Sequence, residues 1–308
     1  MPDAPFAPPP VIRTPVDRPL VGIGWMVLTG LLFVGVTAGV KHGAKDLPAP
    51  ESAFLRYVFG LVWLLPAWRE IRAAPISRTQ LRIFGIRGFA HAFAVMLWFF
   101  AMTRITIAEV TAMNYMTPVY ITLAAALVLG ERLAMRRIVA ILLAFLGALL
   151  ILRPGLRELD EGHFAMILAA ILFAFSYLIA KRVSSELPAS TIVAMLSIVV
   201  TVSLAPFAFA VWRTPTLSET GWIMVVAFLA TAGHYSMTRA FAAAPVSVTQ
   251  PVTFLQLIWS VLLGVFVFGE GADAWVIVGG TVIIAATTFI AIREAMLSRA
   301  IANGKDST

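Results

Sequence analysis

The chain contains no cysteine, which excludes disulfide bonds and thiolate metal sites. Charged residues are also scarce, at 13% of the 308 positions, which is about half the share that a soluble domain carries. Hydrophobic residues make up 60%, and the mean hydropathy is +0.91. Most charges stand in short clusters between apolar runs of about 20 residues. This distribution predicts a polytopic membrane protein rather than an unusually apolar soluble one.

Ten apolar segments have the length of a membrane-spanning helix. The connections between them are too short to hold a soluble catalytic domain. The first 20 residues are rich in proline and lack the pattern of a signal peptide, so we expect a disordered tail there. The predicted spans are 21–40, 52–68, 81–103, 106–129, 134–152, 163–183, 191–212, 221–240, 246–268 and 274–292.

The distribution of lysine and arginine orients these spans. If the N-terminus is cytoplasmic, fifteen basic residues lie on the cytoplasmic side and six on the opposite side, while Arg56 and Arg87 lie within spans. Cytoplasmic loops carry the excess of basic residues in membrane proteins, so we expect both termini in the cytoplasm. The same asymmetry accounts for the net charge of +7 without a nucleic-acid partner.

The two halves of the chain repeat each other. Lys41 recurs 140 positions later as Lys181, and the pair Gly130-Glu131 recurs 139 positions later as Gly269-Glu270. We therefore divide the chain into a tail (1–20), a first five-helix repeat (21–157), a second five-helix repeat (158–294) and a cytoplasmic tail (295–308). Because each repeat has an odd number of spans, the second inserts upside down. Inverted repeats are typical of alternating-access carriers, whose substrate site lies near mid-membrane where the repeats meet.

Several segments resemble those of a known family. They are the paired helix ends at 127–131 (LVLGE) and 266–270 (FVFGE), the segment 54–57 (FLRY) and Thr117-Pro118. Together they resemble the drug/metabolite transporter superfamily, in its ten-span EamA-type branch. The resemblance implies an all-α protein of ten transmembrane helices, built as a 5+5 inverted repeat in the bacterial inner membrane.

Within this branch, the chain looks most like the bacterial exporters of aromatic and other neutral amino acids. Exporters of drugs or other metabolites are the alternative. The second half departs from the pattern, because Leu257 stands where Pro118 would recur and Leu196 stands opposite Arg56. The two halves are therefore not chemically equivalent.

Polar and aromatic residues inside the spans are the candidates for the substrate site. A polar group in hydrocarbon is costly, so it faces either protein or a water-filled cavity. The alternative for each of them is a hydrogen bond between helices, or packing in the case of the aromatic rings. The predicted substrate-binding residues are His91, Trp98, Asn114, Tyr177, His234, Tyr235, Gln250 and Thr253.

The reasons differ among these candidates. His91 lies too deep to reach the headgroups, and a neutral imidazole can donate to a carboxylate or accept from an ammonium. Span four carries Thr111 and Asn114 on one face, and span nine carries Thr253 and Ser260. We expect these two polar stripes to face each other across one cavity. Aromatic rings with a polar tip suit a zwitterion with an apolar side chain.

Four further residues are expected to be gating or structural. Arg56 either donates to a substrate carboxylate or acts as a clamp or snorkel at the surface. Pro118 either kinks its helix or frees a carbonyl for a ligand. Glu131 and Glu270 end helices where the dipole disfavours an acid, so each should have a partner, such as a backbone N–H or an arginine. Arg87 is expected to snorkel to the headgroups.

The sequence lacks several groups that particular transport or catalytic mechanisms require. No carboxylate lies at mid-membrane, so proton coupling through a buried acid is not indicated, and His91 or His234 is the alternative to facilitated diffusion. No phosphate-binding loop is present, so we do not expect ATP to drive transport. Paired acids at depth and an evident serine beside a histidine are missing, which disfavours an intramembrane enzyme. We expect a monomeric carrier of an amino acid or related metabolite, without cofactor or metal.

Overall fold

The computed structural model describes residues 19–117, 119–120, 123, 135–156, 158–183, 187–244, 249 and 252–305. Within these ranges the chain forms eleven helices and no strands, which confirms the predicted all-α fold. The helices are α1 (Pro19–Gly43), α2 (Ala49–Trp63), α3 (Trp68–Ala73), α4 (Arg78–Arg104), α5 (Ile107–Asn114), α6 (Met135–Leu152), α7 (Glu161–Val183), α8 (Ala189–Ala210), α9 (Leu217–Ala243), α10 (Leu255–Phe268) and α11 (Ala274–Lys305).

The helices agree with the predicted spans apart from differences at some of their ends. α10 begins at Leu255, nine positions after the start of predicted span 246–268. α2 ends at Trp63 rather than Trp68, because Pro66 has no N–H with which to continue the helix. α5 ends at Asn114, in the middle of predicted span 106–129. α11 continues to Lys305, through most of the predicted C-terminal tail.

Four helices are long and apolar enough to cross a bilayer, judged by length and composition over the described residues. These four are α4 and α8 over their full lengths, α1 from Leu20 and α7 as far as Ile179. Shorter apolar helices occur within α6, α10 and α11. On α6, Leu142, Leu146 and Leu149 form one stripe and are at least half exposed. A stripe of this kind is stable against lipid tails but not against water. These features agree with a polytopic membrane protein.

The helices pair across the two halves. The closest packing joins α1 with α9, α4 with α7, α6 with α11, and α2 with α8. In repeat order, α1 corresponds to α7 and α4 to α9, so the first two contacts are equivalent. The other two contacts each join helices that correspond to one another. This pattern is what a pseudo-two-fold axis between inverted repeats produces.

Glycines allow the closest of these approaches. α6 and α11 run antiparallel and cross where Gly147 faces Gly279. A Cβ atom added at Gly147 would lie 2.6 Å from the Gly279 carbonyl oxygen, and one at Gly279 would lie 2.5 Å from the Gly147 carbonyl oxygen. On α1, Gly39 and Gly43 meet α9 at similarly short range. Small residues at such crossings strengthen packing between helices in lipid.

We expect Gly147→Ala to destabilise the protein by about 1–3 kcal/mol, because the new methyl group meets backbone that cannot move aside alone. Gly85→Ala is the matched control, since Gly85 also lies inside a helix and a Cβ atom added there would meet nothing within 4 Å. Ala favours helix over Gly, so the control should gain up to about 1 kcal/mol. Thermal unfolding in detergent measures both variants, and equal shifts would contradict the close crossing.

Candidate functional site

Seven aromatic and imidazole rings from both halves meet inside the bundle. We call this group the central aromatic cluster. α1, α2, α4, α7 and α9 contribute to it, so it lies where the two repeats face each other. Its members are Phe33, Tyr57, His91, Trp98, Phe173, Tyr177 and His234.

His91 lies at the centre of the cluster. Its side chain is fully buried, and its ring centroid lies 5.1 Å from that of Phe173 and 6.0 Å from that of His234. The His91 Nδ1 atom lies 3.1 Å from the Ser176 Oγ atom. The other ring nitrogen, Nε2, is buried and has no hydrogen-bond partner among the described residues. Since a neutral imidazole offers one donor and one acceptor, this nitrogen is open to a ligand.

The internal repeat places the two histidines in related surroundings. Phe33 and Phe173 occupy equivalent positions, 140 residues apart. Phe33 meets His234 edge-on at 5.2 Å, and Phe173 meets His91 edge-on at 5.1 Å. Each repeat thus places a phenylalanine against a histidine of the other repeat. Edge-on contacts of this kind fix ring orientation as well as burying area.

Two arginines lie beside the cluster, and both are buried. Arg56 on α2 is 3% exposed and Arg87 on α4 is 5% exposed. The Arg56 guanidinium carbon lies 3.8 Å from the centroid of the Tyr57 ring. Both guanidinium groups are within electrostatic range of the Tyr177 hydroxyl. The Nε and Nη1 atoms of each arginine have no hydrogen-bond partner in the described part of the chain.

The prediction that Arg87 snorkels to the headgroups is wrong. α4 is packed against α2, α7 and α8, and Arg87 lies on a face that these helices cover. The prediction relied on the depth of Arg87 along its helix, and depth does not reveal which face meets lipid. Burial likewise excludes the surface snorkel that was one alternative for Arg56.

Two helices that correspond in the repeats are interrupted at equivalent positions. α5 ends at Asn114 and the turn after it contains Tyr115, while α10 begins after a turn at Phe254, 139 residues later. The Tyr115 hydroxyl donates to the Thr253 carbonyl oxygen at 2.9 Å, and the Tyr115 and Phe254 rings meet edge-on at 5.3 Å. The Leu257 N–H then donates a hydrogen bond to the Phe254 carbonyl oxygen instead of the Thr253 carbonyl oxygen. Interrupted helices at a repeat interface mark substrate sites in carriers.

Tyr115 and Phe254 were not among the predicted site residues, although the repeat offset aligns them. Tyr57, Phe33 and Phe173 were not among them either. Aromatic residues are common in membrane helices, so their type alone gave no signal.

The two predicted polar stripes touch each other directly at one level. The Thr111 Oγ1 atom lies 2.8 Å from the Ser260 Oγ atom, and both side chains are buried. The expected cavity between the stripes is therefore wrong at this level, where a hydrogen bond joins α5 to α10. The stripes do face each other, as their helical spacing indicated.

The other predicted residues divide into two groups. His91, Trp98, Tyr177 and His234 belong to the central aromatic cluster. Tyr235 instead accepts a hydrogen bond from Arg239 at 3.0 Å, away from the cluster. The Asn114 side chain accepts from Thr117 at 3.4 Å, and Thr253 contributes its carbonyl to Tyr115. Pro118, Glu131 and Gln250 lie outside the described residues.

Glu270 has the kind of partner that its position at a helix end requires. One carboxylate oxygen accepts from the Ile107 N–H at 3.1 Å, and the other pairs with the Lys41 ammonium. Lys41 also donates to the Ile105 carbonyl oxygen at 3.2 Å. The backbone partner agrees with the prediction, whereas the cation is a lysine rather than an arginine. This contact, the Lys41–Glu270 bridge, fastens α1, the start of α5 and the end of α10 at one end of the bundle.

Inverted five-helix repeats with interrupted helices and a mixed aromatic and polar group between them define a membrane carrier. The chain belongs to the EamA-like transporter family, which matches residues 20–153 and 160–292. The family thus matches twice, once in each half of the chain.

Curated relatives cover nearly the whole chain. A riboflavin transporter of Vibrio cholerae is 28% identical over 92% of this chain and 96% of its own. An S-adenosylmethionine uptake transporter of Rickettsia bellii is 25% identical over 89% of this chain and 94% of its own. The pseudopaline exporter CntI of Pseudomonas aeruginosa is 26% identical over 86% and 94%. A solved crystal structure, 18% identical, shares the fold with a TM-score of 0.59 over 89% of this chain and 97% of that one.

These comparisons support transport of a small metabolite across a bacterial membrane rather than an enzyme activity. They do not favour amino acids over other substrates. The His91–Ser176 pair corrects the expectation that no serine neighbours a histidine. A catalytic serine also needs a group that orients the histidine, and the second nitrogen of His91 has no such partner in the described residues.

The Lys41–Glu270 bridge should show measurable coupling in a double-mutant cycle. Lys41→Met and Glu270→Gln each remove the ion pair, and the glutamine still accepts from the Ile107 N–H. Because both side chains are largely shielded, at 23% and 11% exposure, we expect a coupling of about 1–2 kcal/mol in thermal unfolding.

The pair of Glu219 and Arg213, whose guanidinium side chain is 43% exposed, is the control for this cycle. The Arg213 guanidinium and the Thr216 cap lower the pKa of Glu219 to about 2, so the pair is ionised at neutral pH. Solvent screens it, and its coupling should be smaller than that of the Lys41–Glu270 bridge. Strictly additive effects of Lys41→Met and Glu270→Gln would contradict a structural bridge.

Proposed function

We propose that the chain exports a small metabolite by alternating access, with the central aromatic cluster as its substrate site. Neutral and aromatic amino acids are the first candidates. The observation that carries this proposal is the position of His91, whose unpartnered Nε2 atom is surrounded by rings from both repeats. A substrate bound there would contact both repeats, and movement of one repeat against the other would change its access to either side.

The cluster suits a substrate with a flat apolar part. Phe173 and Tyr177 are stacked with an interplanar angle of 9° and a centroid distance of 5.8 Å, and Trp98 meets Phe173 at 6.1 Å. Flat walls of this kind bind an aromatic or thioether side chain through dispersion and apolar burial. His91 and Ser176 supply hydrogen bonds for the polar end.

A larger heterocyclic metabolite is the second candidate substrate. The relatives named for riboflavin and S-adenosylmethionine favour it, since both compounds contain planar ring systems. Drugs and other metabolites remain further candidates. The relatives include both uptake and export proteins, so the direction of flux is part of this proposal.

The excess of basic residues on one side supports a placement in the bacterial inner membrane with both termini in the cytoplasm. The site lies within one chain, which supports a monomer as the transporting unit. Under this orientation the Lys41–Glu270 bridge lies at the periplasmic end.

The first test is flux in proteoliposomes that contain only the purified protein. Labelled phenylalanine, methionine and threonine are loaded in turn without any ion gradient. Saturable movement of the first two would support an amino-acid carrier that works by facilitated diffusion. Movement that appears only after a pH step would point to proton coupling and to the two histidines. If none moves under either condition while riboflavin or S-adenosylmethionine does, the second candidate replaces the first.

His91→Ala should reduce substrate flux roughly tenfold or more, because it removes the central hydrogen-bonding group of the site. His42→Ala is the matched control, since His42 is an exposed histidine that packs on Trp222 at the end of α1. Asn114→Ala is also expected to reduce flux, with folding intact. Wild-type flux in both the His91 and the Asn114 variants would rule out this site.

A further inference from the structure

Arg56 and Arg87 carry charge that nothing in the described residues neutralises. Neither takes part in any of the ion pairs of the described chain, which involve Lys41, Arg104, Arg153, His163 and Arg213. Their neighbours are tyrosines and histidines instead of acids. A buried guanidinium without a counter-ion is strongly unfavourable, so a protein that keeps two of them has a reason beyond stability.

The two side chains are also held in position for recognition. The Tyr57 ring holds the Arg56 guanidinium at 3.8 Å from its centroid, while the Nε and Nη1 atoms of Arg56 stay unbonded in the described residues. Arg87 lies one turn before His91 on α4, the His91 ring lies 6.4 Å from the Tyr57 ring, and Arg87 likewise has two unbonded nitrogens. Guanidinium groups bind planar oxyanions such as carboxylates and phosphates through paired N–H donors.

We propose that Arg56 and Arg87 together form an oxyanion site at the edge of the central aromatic cluster, and that the transported substrate bears an aryl group and a carboxylate or phosphate that binds there. The inference rests on the proposed function, because it assigns a charge to the substrate of the same site. No carboxylate of the described residues lies within ion-pair distance of either arginine, and the buried Glu51 on the helix of Arg56 accepts from the Arg213 N–H instead. The site therefore selects the anionic end of a substrate and gains nothing from a positive one.

Three ligands of one shape test this selection by equilibrium binding to the purified protein, measured calorimetrically. They are 3-phenylpropanoate, which is an anion, phenylalanine, which is a zwitterion, and phenethylamine, which is a cation. We expect 3-phenylpropanoate to bind at least as tightly as phenylalanine, and phenethylamine not to bind. Phenyl phosphate distinguishes the two oxyanions, and the tighter of phenyl phosphate and 3-phenylpropanoate identifies the natural group. Binding of the amine as tight as that of the anion would overturn the inference.

Variants of the arginines separate recognition from a structural role. Arg87→Met should weaken anion binding roughly 10- to 100-fold, as expected for the loss of charge-assisted hydrogen bonds. It should also raise the unfolding temperature, because it removes a buried charge that has no partner in the ligand-free protein. Arg56→Met should behave alike, and Arg104→Gln, at an exposed arginine, should change neither quantity. A lower unfolding temperature with unchanged anion affinity would assign the arginines to structure alone.

The failure of this inference and that of the proposed function give different results. Suppose that phenylalanine moves in proteoliposomes, but that ligand affinity depends neither on the carboxylate nor on the arginines. The proposed oxyanion site is then wrong, and the proposed carrier function is retained. If the anions bind in an arginine-dependent way but no ligand moves, the oxyanion site stands and transport through it is wrong.

Discussion

In a bilayer, two helices gain little by covering apolar surface, because lipid tails cover that surface equally well. The fold of this chain therefore depends on how closely its backbones approach and on the hydrogen bonds formed where they do. The crossing of Gly147 and Gly279, and the bond between Thr111 and Ser260, are both contacts between corresponding helices of the two repeats. Among the described residues, contacts within one repeat are fewer, so there each half depends on the other for its packing.

The same constraint shapes the interior. Polar groups that face each other across the repeats are bonded in most places, as with Tyr115 and the Thr253 carbonyl. Unsatisfied donors cost more in a dry interior than in water. Of the eleven buried side-chain atoms without a partner in the described residues, six belong to Arg56, Tyr57, Arg87 and His91. Side chains that only joined helices would not need to remain unpaired.

The sequence predicted the helices well because the bilayer fixes their length and their apolar character. The repeat, and with it the inverted topology, followed from residue spacing alone. The faces of the helices were harder to predict, since a helix surrounded by other helices shows no simple apolar stripe. Arg87 was assigned to the surface for that reason, and Ser176 was not connected with His91, 85 positions away. The break near Leu257 has no proline at that position to announce it, and the Thr253 carbonyl there accepts from the Tyr115 hydroxyl of the other repeat.

In the proposed transport cycle, the Lys41–Glu270 bridge must break when its end of the bundle opens, and this affects the free-energy balance between the two facing states. A carrier turns over fastest when its two facing states have similar free energies, and a contact that is present in only one state shifts their ratio by its own strength. An imbalance of about 2.7 kcal/mol would leave the minor state near 1%. In the proposed alternating-access cycle, opening this end must therefore be compensated by new contacts elsewhere. In the sequence, Lys181 and Glu131 repeat the same pair of residue types. The internal repeat thus gives each half of the chain one lysine and one glutamate of this kind.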